Sequence, residues 1–196
     1  MKKIFFFSEN RNKFYEISSL FKKTNFEILN IDNFPDLKIP IENGQTFEEN
    51  AKIKSLYGFK KTNLPCFADD SGFCIKSLKD FPGIKSKRFI EENNGVENAL
   101  GIIINKTKNL SDKNAYFKTS ISLSLDKRNT LLFNGVVKGK ISNKPKGDKG
   151  FGYDPIFIPN GSNKTFAEMS SEEKNEISHR SIAIKKFKKY LIKLIQ

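Results

Sequence analysis

Four short segments concentrate the side chains able to do chemistry. The first is Ser8-Glu9-Asn10-Arg11-Asn12-Lys13, which follows an apolar run and opens a helical pattern. The unpaired N–H groups and the dipole of a helix N-terminus favour anions, and Lys13 adds a mobile positive charge. The glycines of a Walker A loop are absent, and N-capping by Asn10 accounts for part of the pattern. The second is Ala68-Asp69-Asp70-Ser71-Gly72. Adjacent carboxylates leaving an apolar strand are costly to bury unless cations or donors compensate. A divalent cation suits them, because Mg²⁺ takes a few carboxylates together with substrate phosphates. An Asp-rich turn is the competing reading, and Glu42, before Gly44, is a candidate further carboxylate. The third is Gly150-Phe151-Gly152-Tyr153-Asp154-Pro155. Glycines allow a close backbone approach, aromatic rings can stack on a base, and Asp154 can accept from a ring N–H; a tight turn before a strand is the plainer alternative. The fourth runs from Glu173 through Lys174 to Ser178-His179-Arg180. It holds the only histidine, next to an arginine at a helix start, where the dipole disfavours cations unless an acceptor or anion is near.

The elements that must position these groups follow from periodicity and punctuation. Residues 3–7 read as a buried strand. Asn10 is the expected N-cap of an amphipathic helix carrying Phe14, Ile17 and Phe21 at helical spacing. Residues 26–31 form a second strand. Thr46-Phe47-Glu48-Glu49 fits a capping box in which Glu49 reaches back to the Thr46 backbone, and that helix runs to about Lys61. Two short strands, 65–68 and 73–78, flank the Asp pair, and a helix covers 96–106. Long strands at 115–125 and 130–141 are joined by a hairpin at Asp126 to Asn129. A Gly- and Lys-rich loop spans Asn143 to Asp154, with a short strand at 155–158. Ser178 caps a C-terminal helix whose apolar stripe is Ile184, Phe187, Leu191 and Leu194. Strands and helices mix throughout, so the class is α/β or α+β, and the hairpin argues against a purely parallel sheet.

The 196 residues suit a single domain able to bury a core, and 19 Phe place the chain among globular proteins. The net charge of +13 fits anionic partners or a lysine-rich solvated surface. No RNP, KH or zinc pattern supports a nucleic-acid module, so no stable nucleic-acid partner is expected. Cys66 and Cys74 read as small core residues in a reducing, cytoplasmic setting. No stretch reaches transmembrane length, and the apolar run after Met1-Lys2-Lys3 is too short for a signal peptide; no membrane partner is expected.

Together the segments resemble the inosine triphosphate pyrophosphatase family, the non-standard purine NTP pyrophosphatases. The resemblance runs end to end. Its carriers are Ser8-x-Asn10-x-x-Lys13, Gly44-x-Thr46-Phe47-x-Glu49-Asn50-Ala51-x-x-Lys54, Ala68-Asp69-Asp70-Ser71-Gly72, Pro82-Gly83-x-x-Ser86-x-Arg88-Phe89, Gly150 through Phe157, Ala167-Glu168-Met169, and Lys174 with Ser178-His179-Arg180. The resemblance implies an α/β fold with an elongated mixed sheet and flanking helices, in two lobes around a central nucleotide cleft. It implies a homodimer and the hydrolysis of ITP, dITP or XTP to the monophosphate and pyrophosphate with Mg²⁺. By the same resemblance Lys13 and Lys54 hold phosphates, with Ser8, Asn10 and Ser71 also on the substrate. Asp70 is general base and metal ligand, with Asp69 and Glu42 as further carboxylates. Phe151 stacks on the base within Gly152, Tyr153 and Asp154, and Lys174, His179 and Arg180 read the six-position carbonyl. The chain departs from the family pattern at Glu9, Asn12, Ile41 and Lys87. A septum-associated relative acting on pyrimidine or modified nucleotides shares this fold, but the Ser178-His179-Arg180 segment argues against it.

Overall fold

The computed structural model describes residues 2–22 and 24–195. Its strands are β1 (Lys2–Phe6), β2 (Phe26–Leu29), β3 (Cys66–Ile75), β4 (Phe81–Pro82), β5 (Asn114–Ser124), β6 (Thr130–Ile141) and β7 (Phe157–Pro159). Its α-helices are α1 (Arg11–Phe21), α2 (Phe47–Thr62), α3 (Ser86–Glu92), α4 (Val96–Thr107), α5 (Ser171–Ile177) and α6 (His179–Ile195). The strands form one mixed sheet in the order β2-β1-β3-β5-β6-β7, with β4 added beside β3. β1 is parallel to both β2 and β3, whereas the β3–β4 and β6–β7 pairs are antiparallel. The expected mixed α/β sheet with flanking helices is therefore present.

The chain divides into two compact units: Met1–Asp70, Thr119–Gly135 and Arg180–Gln196 form the first, and Ser71–Lys118 with Val136–His179 form the second. In the first unit, the unbroken run Ile4-Phe5-Phe6-Phe7 is explained by burial on both faces, since successive side chains in a strand point opposite ways. Ile4 and Phe6 pack with Ile17 and Phe21 of α1, Phe67 of β3, and Ala183, Ile184, Phe187 and Leu191 of α6. Phe5 and Phe7 face the other way, with Cys66, Ala68 and the α2 rings Tyr57 and Phe59. The predicted α6 stripe is thus buried at Ile184, Phe187 and Leu191; the side chain of Leu194 lies outside the described residues. The second unit packs Phe73, Phe117, Tyr153, Phe157 and Phe166 against Leu100 and Ile103 of α4. Both cysteines are buried and free.

Four expectations are corrected. Residues 66–75 form one continuous strand through the Asp pair, where two short strands flanking it, 65–68 and 73–78, were expected; residues 76–78 are a 3-10 turn. The segment after the Gly-rich loop begins with a 3-10 turn at Asp154–Ile156, so the strand starts at Phe157. β2 stops at Leu29, and Ile31–Asn33 form another 3-10 turn. Thr46 does cap α2 by accepting from the Glu49 N–H at 3.1 Å, but Glu49 takes the N–H of Gln45 instead of that of Thr46.

Candidate active site

The chemistry of the first unit lies just past the carboxyl end of β1. There the chain turns through Ser8 to Asn10, whose side chain caps α1 by accepting from the Lys13 N–H at 3.2 Å; the Asn10 N–H in turn donates to Ser8 Oγ. Such a cap is worth about 1 kcal/mol, and it sets the first turn of α1 so that Lys13 projects toward β3. Lys13 Nζ lies 3.0 Å from Asp69 Oδ2. On the same oxygen, at 3.5 Å, is Arg180 Nε from the start of α6, and the other end of that guanidinium is paired with Glu16 of α1. Asp69 and Arg180 are almost wholly buried. Glu9 and Asn12, the departures in this loop, are exposed.

Asp70 faces the other way. Strand alternation puts it on the side of Cys66 and Ala68, toward α2, where Asn50 Nδ2 donates to its Oδ2 at 3.1 Å. One turn further along α2, Lys54 Nζ is 3.0 Å from Glu42 Oε2. The adjacent carboxylates of β3 therefore serve opposite faces: Asp69 meets Lys13 and Arg180, and Asp70 meets the α2 residues. Ser71, next in β3, is half-buried, and Ile41, beside Glu42, is exposed.

These charges perturb one another. Burial pushes the Asp70 carboxyl above its ordinary pKa, and the ammonium groups of Lys54 and Lys13 pull back only part of that rise. Burial also depresses Lys13, against the pull of Asp69. For Lys54 burial works in the same direction, but Asp70, Glu42 and Asp69 together outweigh it and the pKa is raised. A buried carboxyl held by a side-chain amide on the α2 face has the placement of a general base beside a site for anionic oxygens. Among the described residues no three His, Cys, Asp or Glu side chains converge on a metal-sized site. The residues that could hold Mg²⁺ here are Asp70 and the exposed Glu42, in the mode where a bound phosphate supplies much of the oxygen shell.

The second unit holds the other set of named residues. Asp154 is buried and accepts from the Phe151 N–H at 2.8 Å and from Lys174 Nζ at 2.7 Å. Gly150 is required here: its φ is +73°, and a Cβ would fall 2.2 Å from Asp154 Oδ2. Lys174 Nζ also sits over the Phe151 ring, 4.9 Å from its centroid. Phe151 and Gly152 are half-buried. Tyr153, grouped with Phe151 for stacking, has its ring in the core, where it stacks on Phe73 and donates to the Ser86 carbonyl. His179 is buried and lies parallel to Phe117, with centroids 4.8 Å apart and planes 11° apart.

Sequence reasoning missed three participants. Glu16 was legible as a carboxylate one turn after Lys13 on the same helix. Asn50 was noted only as part of a motif. The signal for helix α5, which carries Lys174, is the Ser170–Glu173 capping box.

Parallel strands, the first ending on a capped helix, with lysines and carboxylates gathered just past the carboxyl end of β1, define a protein of the α/β class. The Ham1 family model matches residues 4–190. A dITP/XTP pyrophosphatase of Christiangramia forsetii is 41% identical over 191 residues, covering 97% of this chain and 100% of that relative. The Ham1 protein of Staphylococcus aureus superposes with a TM-score of 0.86 at 38% identity, over 97% of this chain and 98% of the other. A HAM1 protein from Coxiella burnetii superposes with a TM-score of 0.90 at 34% identity, over 98% and 100%. The chain belongs to the Ham1 family.

Proposed function

We propose that this protein hydrolyses non-standard purine nucleoside triphosphates (ITP, dITP and XTP) to the monophosphate and pyrophosphate. It does so with Mg²⁺, as a homodimer in the cytoplasm, and so clears such nucleotides from the pool. The observation that carries the reading is the placing of Asp70: a buried carboxyl held by Asn50 on the face of β3 that meets α2 and its Lys54–Glu42 pair. The name dITP/XTP pyrophosphatase, borne by a relative matched along its whole length, supports the same reading.

In this reading Lys13 and Lys54, with Ser8, Asn10 and the first turn of α1, take the phosphates. Asp70 accepts a proton from water as the water oxygen bonds to the α-phosphorus. The bond from that phosphorus to the bridging oxygen breaks, and pyrophosphate leaves with the electron pair. Lys13 and Lys54 stabilise the charge that develops. When bound, Mg²⁺ neutralises and orients the phosphates; Asp70, with Glu42 beside Lys54, would hold it. Asp69 acts from the other face as the counter-charge of Lys13 and Arg180. The family resemblance gives the purine to Phe151, Lys174, His179 and Arg180, with donors placed for a six-position oxygen that adenine lacks.

The test is pyrophosphate release from ITP, XTP, GTP and ATP at matched concentration, with Mg²⁺ and with EDTA. Fast, metal-dependent release from ITP and XTP, with little from GTP or ATP, is the expected result. Absence of release from all four would overturn the reading.

A further inference from the structure

We infer that Asn50 is a positioning residue for the hydrolysis proposed above: it fixes the Asp70 carboxylate and ties it to the loop that carries Glu42. The inference rests on that functional reading, but its geometry stands independently. Asn50 is buried in the first turn of α2. Both ends of its amide are used. Nδ2 donates to Asp70 Oδ2 at 3.1 Å, and Oδ1 accepts the Gly44 N–H at 2.9 Å. A side-chain amide presents a donor and an acceptor on one short stem, so a single residue can hold a carboxylate on one side and a loop N–H on the other.

The loop is seated on α2 at three points. Glu42 pairs with Lys54, the Gly44 N–H donates to Asn50, and the Gln45 N–H donates to Glu49 Oε2 at 2.6 Å. At Gly44 the backbone comes so close that a Cβ would lie 2.7 Å from Asn50 Oδ1. Asn50 joins this seat to Asp70 through its second hydrogen bond. It therefore orients the carboxylate plane and transmits the seat of the Glu42 loop to it. A general base gains from being held in one orientation, so loss of Asn50 should act on turnover more than on affinity.

Two variants separate the two hydrogen bonds. Asn50→Asp keeps an acceptor for the Gly44 N–H but replaces the donor facing Asp70 with an acceptor. Asn50→Ala removes both. For Asn50→Asp we expect kcat for ITP to fall roughly 10- to 100-fold with KM within about threefold of the parent. Amide hydrogen exchange at Gly44 should stay at the parent rate in Asn50→Asp and speed up roughly tenfold or more in Asn50→Ala. An Asn50→Asp protein with kcat within about threefold of the parent, or one changed in KM alone, overturns the inference. So does an unchanged Gly44 exchange rate in Asn50→Ala. If Asn50→Asp does not fold, the side-chain NH₂ of Asn50 in the parent protein decides: protection from exchange supports the inference, and exchange at the rate of a solvated amide refutes it. Should the parent release no pyrophosphate from any nucleotide, the functional reading fails, while the exchange measurements still decide whether Asn50 ties the loop to Asp70.

Discussion

Asp69 and Asp70 are neighbours in sequence, yet the pleat of β3 gives them different partners and different duties. Asp69 anchors a buried chain of charge running from Lys13 through Asp69 and Arg180 to Glu16. Breaking a buried pair leaves its partner uncompensated, which costs far more than the pair itself contributes. Arg180 is almost wholly buried, and Glu16 is only 18% exposed. Replacing Glu16 with Ala takes one of two carboxylates from Arg180, Asp69 remaining, and should destabilise the protein by about 1–3 kcal/mol, read as a lowered urea midpoint at unchanged slope. The double variant Glu16→Ala, Arg180→Met should recover part of that loss. A Glu16→Ala midpoint equal to the parent's would show that the remaining contacts of Arg180 suffice. The identities of Lys13, Lys54, Asp69, Asp70 and Arg180 were legible in the sequence. Their pairing was not, because it depends on which face of β3 meets which helix.

At the scale of elements, the sequence disclosed whatever depends on local chemistry. Asn10 as the cap of α1, α2 to within a residue or so, α4, the β5–β6 hairpin and the buried stripe of α6 all follow from caps and periodicity. The Asp-rich segment misled for a physical reason. Local preference makes Asp-Asp-Ser-Gly a turn; here it is strand because Lys13, Arg180 and Asn50, all distant in sequence, compensate the buried carboxylates. The hairpin offers a test at this scale. Asp126 Oδ1 accepts the N–H groups of Asn129 and Arg128 at 2.8 and 2.7 Å, and these bonds, that from Asn129 foremost, hold its carboxyl below the ordinary pKa. A depressed folded-state pKa contributes stability above the unfolded value, and that stability is lost as pH falls through the folded one. Asp126→Ala should lower Tm at pH 7, and the gap to the parent should close as pH drops below the usual carboxylate pKa of about 3.9. A gap of constant size across that range would contradict the assignment.

At the scale of the whole molecule, neither unit is a continuous stretch of chain. The first is assembled from three segments and the second from two, and β3, β5 and β6 each contribute residues to both. The sequence was read as one domain, and this interleaving is why no linker was visible in it. A single proteolytic cut should thus release no folded unit. Nicked protein should elute as one species under native conditions and separate into fragments only in denaturant; a stable fragment eluting alone from a single cut would refute this.

The interleaving also sets an order of events during synthesis. Phe187 is made long after Phe6, yet both pack on Phe67 in the same core. At roughly 5–20 residues per second, β1 waits on the order of ten to thirty seconds for α6 to cover it. For that interval the nascent chain carries a sheet face rich in phenylalanine with part of its cover missing. Folding of this unit is therefore complete only once α6 has been made, and a message truncated before α6 yields a chain destined for chaperones or aggregation.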